Sequence, residues 1–444
     1  MAKEQRSTAI SLVSQELKGC PNDLECPKLE LLQLSCGKFT SSTLPNNFFK
    51  GMNKLKVLSL RGMSFPALLP SIWVLQNLRT LHLEYCSLDG VSEIRALGNL
   101  EILSFLGSKI KELPGEIGNL SHLKLLDMSH CSALQKIPPG LLSSLNQLEE
   151  LYMFGVDVNW EPMEGNKEGA NASLAELMSL SHHLTALKIH IPNIEVLPKD
   201  LLFRNQMFKF QIFVGDIGGM DDDFVSRETI HYLFENKLVL GRSDASNIVE
   251  SGTLLQLIAK SGILYLEQIK DLKNILYELD QEGFQCLKVL QVSKSEAVQY
   301  VIDATSYQTP RGSFPILNSL KLSDLCNLKE IVYHSQFPEG SLSCTQLACF
   351  GNLRSLVLSR CSHLKNVFSL SIARDLVHLQ QLHIEKCKDM EEIFPKEGGD
   401  EHAVENILFP TLRSIKLSSL PRLIGFCADV GLVELVQPSL NQEV

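Results

Sequence analysis

Between Leu78 and Leu88 (LRTLHLEYCSL) the apolar positions are Leu78, Leu81, Leu83, Cys86 and Leu88, a frame of L-x-x-L-x-L-x-x-N/C-x-L with mostly polar residues between. The frame returns at Leu100 (Leu103, Phe105, Ser108, Ile110), at Leu123 (Leu126, Met128, Cys131) and at Leu148 (Leu151, Met153, Val156, Val158), in steps of 22 to 25 residues. Earlier copies begin with Ile10, Leu12 and Leu17, and then at Leu29 and Leu55. Inside each copy the alternation has a period of two, as in LELLQL, LKVLSL and LRTLHL, which predicts a strand with leucines on one face and polar side chains on the other. A second marker follows each strand. Pro21, Pro45, Pro70, Pro114, Pro138 and Pro198 lie 14 to 16 residues past their repeat starts, where a residue without a donor and with a fixed φ suits a return path and not a sheet.

A period of this length makes each repeat one layer that cannot bury its apolar face alone, so layers stack and share a continuous core. The predicted fold is α/β, a leucine-rich-repeat solenoid or horseshoe. It has a parallel β-sheet on its concave face and loops, 3-10 turns and short helices on its convex face. About 16 repeats fill residues 1–430 as a single solenoid. Residues 7–206 are regular short repeats broken by a Gly-, Asn- and Glu-rich insertion at 159–183, with a helical turn expected at Ala172 to Leu180. Over 207–286 the frame is degenerate, with strands expected at Lys209 to Val214, Lys237 to Leu240 and Ile263 to Leu266. Over 287–430 the repeats lengthen, with starts at Leu287, Leu317, Leu353, Leu379 and Leu412, and 431–444 is a polar tail.

Repetition changes how length and composition are read: 444 residues no longer imply several domains. The net charge of -10 argues against generic nucleic-acid or acidic-membrane binding, and no run of about 18 apolar residues offers a membrane span. Of the 12 cysteines, Cys86, Cys131, Cys361 and Cys387 occupy the N/C position of the frame, which assigns them to packing at the turn and not to a disulfide framework. With no apolar secretory segment at the start, reduced thiols in a cytoplasmic protein are expected.

Chemistry-bearing motifs are absent: no phosphate loop, no G-x-S-x-G elbow, no H-E-x-x-H and no C-x-x-C. His378, His383 and Cys387 have a metal-like look, but the frame sends Cys387 into the turn and His383 onto the exposed strand face. The reading is a non-enzymatic binding protein without cofactor or metal.

Stretches such as TAISLVSQELKGCPNDLECPKLELLQL and LYLEQIKDLKNILYELDQEGFQCLKVLQV, the LPxxI return segments, the CxxL turns and the FPxL openings at Phe314 to Leu317 and Phe409 to Leu412 carry a resemblance. They resemble the leucine-rich-repeat region of plant intracellular disease-resistance proteins of the coiled-coil, nucleotide-binding class, over essentially the whole chain. The resemblance implies recognition of a pathogen effector, or of a host protein that an effector alters, and restraint of a nucleotide-binding switch. The switch domain and its phosphate loop are missing from this sequence, so ADP or ATP is expected only of a full-length family member. The competing reading is a free-standing intracellular adaptor, for instance a ubiquitin-ligase substrate receptor, although no F-box precedes Ile10. A secreted receptor ectodomain would show a signal peptide, capping cysteines and an asparagine ladder.

Three surfaces follow from the frame. Ile10, Leu12, Leu17 and Leu24 belong to a first repeat with no neighbour before it and form a candidate docking edge for a switch domain. Tyr152 and Phe154, beside Leu106 and His130, form a candidate aromatic patch on the concave face; the alternative is that the insertion from Asn159 folds back over them and buries them. Lys288, Lys294, Lys321, Arg354, Arg360, Lys386, Arg413 and Lys416, opposed only by Asp324 and Glu385, make a lane of charge +6 for an acidic protein partner. The matching positions of the first seven repeats balance at -2.

Overall fold

Leu81 and Leu83 are fully buried while His82 and Glu84 between them stay half-exposed, and the same alternation of leucine in and polar residue out recurs layer after layer. A computed structural model describes residues 7–15, 24–41, 44–162, 171–216, 235–305, 312–333, 349–395 and 409–426. The chain divides into two units, Met1–Ile212 and Phe213–Val444. Leu17, the acidic run at 221–223 and the tail at 431–444 lie outside the described residues.

In the first unit the strands Ala9–Val13, Leu31–Ser41, Val57–Phe65, Thr80–Glu84, Ile102–Ser104, Leu125–Asp127, Glu150–Met153 and Ala186–Ile191 lie parallel. Their register is continuous: Leu32 is paired with Leu58, and then in turn come Leu81, Leu103, Leu126, Leu151 and Leu187. The second unit stacks Lys237–Leu240, Ile263–Glu267, Val289–Ser293, Ser319–Ser323, Ser355–Ser359, Gln381–Glu385 and Ser414–Ser418 in the same way, with Leu238, Leu264, Leu290, Leu320, Leu356, Leu382 and Ile415 in line. A slip of one residue would turn every leucine outward, which is why identical spacing in successive repeats fixes the register. The degenerate stretch obeys it too, with strands at Lys209–Val214, Lys237–Leu240 and Ile263–Glu267.

Return paths differ with repeat length. The short repeats have room for one 3-10 turn, at Pro70–Val74, Ser92–Ala96 and Gly115–Asn119, with Pro114 capping the last at φ -72°. The expected helical turn at Ala172 to Leu180 is Leu174–Glu176 followed by Leu177–Leu180, started by a capping box between Ser173 and Glu176. The second unit holds a nine-residue helix, Gly252–Lys260, capped by Ser251, and a small extra sheet of Tyr300–Asp303 with Glu330–Tyr333. Phenylalanines fill the added width: Phe284, Phe314 and Phe350 stack with centroids 4.9 and 5.4 Å apart.

The N/C position of the frame stitches layers together. Cys86 Sγ donates to the Leu60 carbonyl (3.4 Å), Ser108 Oγ to Leu83 (2.6 Å), Cys131 Sγ to Phe105 (3.1 Å) and Cys361 Sγ to Leu322 (3.7 Å). Each acceptor is the last inward strand residue of the preceding layer. Buried carbonyls at the turn thus gain a partner from a small side chain that fits the core. Burial pushes the Cys86 thiol up to about 11 and the Cys131 thiol up to about 12, because a thiolate there would be desolvated.

One expectation fails at the next turn. The residue two past the last inward side chain has positive φ in layer after layer: Tyr85 (52°), Gly107 (66°), His130 (59°) and Gly155 (71°), and then Lys294 (51°), Asp324 (56°), Arg360 (54°) and Lys386 (57°). The left-handed step ends the period-two alternation at Met153, so Phe154 does not face outward as the alternation predicted. It is 3% exposed, its ring edge-on to His130 (5.8 Å, 84°) with Lys188 Nζ 5.1 Å above it. Leu106, at the equivalent position two layers earlier, is 7% exposed. Glycine assists: a Cβ on Gly107 would lie 2.6 Å from the Tyr85 ring, and one on Gly155 would lie 3.0 Å from His130 Nδ1. Rings at Tyr85 and His130 spread over the glycines that follow. Tyr152 and His130 remain half-buried, so the aromatic patch reduces to those two.

Phe154→Ser should therefore destabilise the chain by about 3 to 5 kcal/mol, the range for emptying a buried phenylalanine site, while Tyr152→Ser should cost about 1 kcal/mol or less. Urea denaturation of both variants separates the cases, and equal small effects would return Phe154 to the surface. Alkylation with iodoacetamide at about pH 8 should modify exposed Cys286 within minutes and leave Cys86 and Cys131 intact until the chain unfolds. Peptide mass mapping reads both.

Candidate functional site

The outward positions of the second unit's sheet fall into rows. Immediately before the strands, backbone hydrogen bonds of 2.8 Å link Lys288, Asn318, Arg354, Gln380 and Arg413 into a lead row. In mid-strand, Gln291, Lys321, Val357, His383 and Lys416 are register partners. At the exit lie Lys294, Asp324, Arg360, Lys386 and Ser419. Eight cations predicted from the sequence are thus placed along this sheet, but they are not equivalent.

Four of them are neutralised. Lys288 Nζ meets Glu235 Oε1 at 2.6 Å, reaching past Gly262, where a Cβ would lie 2.9 Å from the Glu235 carboxylate. Lys294 Nζ meets Glu267 Oε1 at 2.8 Å, Lys386 Nζ meets Glu385 Oε1 at 2.8 Å, and Arg360 grips Asp324 with two bonds of 2.5 and 2.7 Å. The Arg360 guanidinium holds the Asp324 carboxyl below its ordinary range, and Lys386 does the same for Glu385. Glu235 and Glu267 belong to the degenerate repeats, and counting them lowers the lane's balance from +6 to +4. Lys321, Arg354, Arg413 and Lys416 have no acid within ion-pair distance among the described residues, and three of them are exposed, Lys321 being half-buried.

The first unit solves the same problem differently. Its lead row runs Glu30, Lys56, Arg79, Glu101, Lys124, Glu149, each joined to the next by a 2.8 Å backbone hydrogen bond. Lys56 pairs with Glu30 (2.9 Å), Arg79 with Glu101 (2.5 Å), and in the strand exits Arg61 pairs with Glu84 (2.9 Å). Burial, then the hydrogen bond to Glu150 (2.5 Å), holds the Tyr152 hydroxyl well above its ordinary pKa, so it stays a neutral donor.

At the first strand, Ala9–Val13 pairs through one edge with Leu31 to Ser35, and among the described residues no strand pairs with the other edge. Leu12 is 44% exposed and Ile10 and Leu24 are half-buried. Val13, 76% exposed, also belongs to this apolar edge, and the two-residue period passed over it because it stands out of phase with the leucines. Of the metal-like trio, Cys387 is buried in the turn, His383 Nε2 faces Ser414 Oγ at 3.2 Å on the sheet, and His378 is exposed at the turn before the strand. No group of three or more metal-ligating side chains occurs among the described residues. No helix among them is long and apolar enough to cross a membrane.

Comparison with known proteins fits this geometry. The family of plant disease resistance protein RPS2-like leucine-rich repeats matches residues 246–388 and 348–428. Disease resistance protein At4g27190 of Arabidopsis thaliana is 24% identical over 437 residues, covering 94% of this chain and 41% of its own length. Probable disease resistance protein At4g27220 of the same plant is 27% identical over 434 residues, covering 96% of this chain and 44% of its own. The chain thus spans less than half the length of these curated relatives. Among solved structures, the leucine-rich-repeat protein LIC12759 of Leptospira interrogans is similar with a TM-score of 0.56 at 20% identity, covering 93% of this chain and 98% of that one, a likeness of fold alone. With relatives aligned along nearly its full length and the family's own repeats matched in its second half, this chain is similar to the leucine-rich repeats of plant disease-resistance proteins.

Proposed function

We propose that the chain is a recognition module of plant innate immunity, one that binds a pathogen effector or an effector-modified host protein through its sheet face and regulates a nucleotide-binding switch. It works by binding and not by catalysis, carries no cofactor itself, and acts in the cytoplasm. The observation that carries this reading is the second unit's sheet face, where Lys321, Arg354, Arg413 and Lys416 have no acid within ion-pair distance among the described residues, on a chain whose total charge is -10. A sheet kept soluble by charge needs no such imbalance: in the first unit Lys56, Arg61 and Arg79 each meet a carboxylate. Unpaired cations on a wide surface favour an acidic protein and speed its encounter. The defence setting is supported by the relatives, which are disease resistance proteins.

The switch contact belongs to the other end. An unpaired strand edge bearing Leu12 and Val13 is a surface that another domain covers well, by hydrogen bonds along the strand and apolar contact beside it. Co-expressed in leaf cells with the remainder of the first Arabidopsis relative, outside the part this chain matches, the chain should co-precipitate with it and damp its cell-death signal. Leu12→Asp combined with Val13→Asp should remove both effects and leave the melting temperature nearly unchanged, since both side chains are exposed. Absence of association, or association untouched by the double change, contradicts the docking edge.

A further inference from the structure

Between the lead row and the mid-strand row of the second unit runs a row of three serines interrupted by one exposed glutamine. Ser319, Ser355, Gln381 and Ser414 are register partners across four strands, and the three serines are half-buried. One wall beside them carries Arg354 and Arg413; the other carries Lys321, His383 and Lys416. The two walls are three residues apart along a strand, about 10 Å, which is the width of one extended polypeptide and its side chains. We propose that this serine-floored trough seats an extended acidic peptide segment of a protein partner, lying across the strands; the proposal rests on the recognition reading above and names the chemistry of its ligand.

Spacing sets the sequence such a segment needs. Arg354 and Arg413 stand two strands apart, about 10 Å, and Lys321 and Lys416 three strands apart, about 14 Å. An extended chain advances about 3.3 Å per residue, so carboxylates three or four positions apart meet successive cations. The acids already on this face lie outside the trough, and Glu385, held first by Lys386, also feels the charge of Lys416. Asp324 and Glu385 lie at the strand exits, beyond the mid-strand row, and are held by Arg360 and Lys386. The floor offers hydroxyls to a peptide backbone: Ser355 Oγ donates to Gln381 Oε1 at 3.3 Å and Ser414 Oγ faces His383 at 3.2 Å, contacts weak enough to exchange for a ligand's amides. A single-stranded nucleic acid would want a run of aromatic side chains for successive bases, and the mid-strand wall offers one ring, His383, between Val357 and Lys416.

The test uses the full chain and a fluorescent peptide of glycine and serine with four glutamates, one at every third position. Fluorescence anisotropy should show binding that weakens at least about tenfold as salt rises from about 50 to 300 mM, and the same peptide with glutamines should not bind. Arg354→Glu and Lys416→Glu should each weaken binding by about threefold to tenfold, and Lys56→Glu in the first unit should change nothing. Ser355→Phe fills the floor without altering charge and should abolish binding while the melting curve is kept. Binding indifferent to Ser355→Phe, equal binding of the glutamine peptide, or an oligothymidylate of equal charge that binds as tightly would each overturn the trough. Peptide failure alongside intact association in the leaf assay removes the trough and leaves the switch-regulating part of the proposed function, whereas loss of both removes both.

Discussion

Every layer depends on the in-register stacking of its inward leucines on the layers beside it. A layer of some two dozen residues buries too few apolar side chains to offset the entropy of ordering its own backbone, so it is stable only while both faces of its leucine row are covered. Stacking also pairs each strand's edge and lets the turn residue of one layer donate to a carbonyl of the layer before, as Cys86, Ser108 and Cys131 do. Two independent demands, apolar burial and carbonyl satisfaction, thereby select the same register. At the first strand Leu12 and Val13 are exposed, and among the described residues only the strand Leu31–Ser41 pairs with it.

What stacking leaves free is the outward side of each strand, and there electrostatics decides. Neighbouring rows lie about 4.8 Å apart, well inside the screening length of about 8 Å in physiological salt, so charges on adjacent strands feel one another. In the first unit both signs share the lead row, and Lys56 and Arg79 close onto Glu30 and Glu101. The lead row of the second unit alternates cation with amide instead, Lys288, Asn318, Arg354, Gln380, Arg413, and only its first cation finds a carboxylate. Its field is therefore available to something outside the described chain, and individually weak exposed pairs become useful because several act on one ligand.

The repeat frame made most of the fold legible. Leucines at period two located the strands, even in the degenerate stretch. The frame misled at strand exits, because alternation is a property of extended backbone and the left-handed step at Gly155 removes it, turning Phe154 into the core. Charge was half-legible. Row membership followed from spacing, but pairing did not, since the partners Glu235 and Glu267 come from repeats with weak frames and the Lys288 contact needs the missing side chain at Gly262. The trough required knowing that Ser319, Ser355 and Ser414 align across strands whose repeats differ in length, which the register alone reveals.

The central claim is an electrostatic contrast: Lys56, Arg61 and Arg79 of the first unit's sheet each meet a carboxylate, whereas Lys321, Arg354, Arg413 and Lys416 of the second meet none among the described residues. Zero-length carbodiimide coupling joins an amine to a carboxylate only when the two already form a contact, so mass spectrometry of the coupled free chain reads the claim directly. The account predicts links from Lys56 to Glu30, Lys288 to Glu235, Lys294 to Glu267 and Lys386 to Glu385, with Lys321 and Lys416 unlinked. Efficient links from Lys321 or Lys416 to any acid of the same chain would show that the lane is neutralised from within and would contradict it.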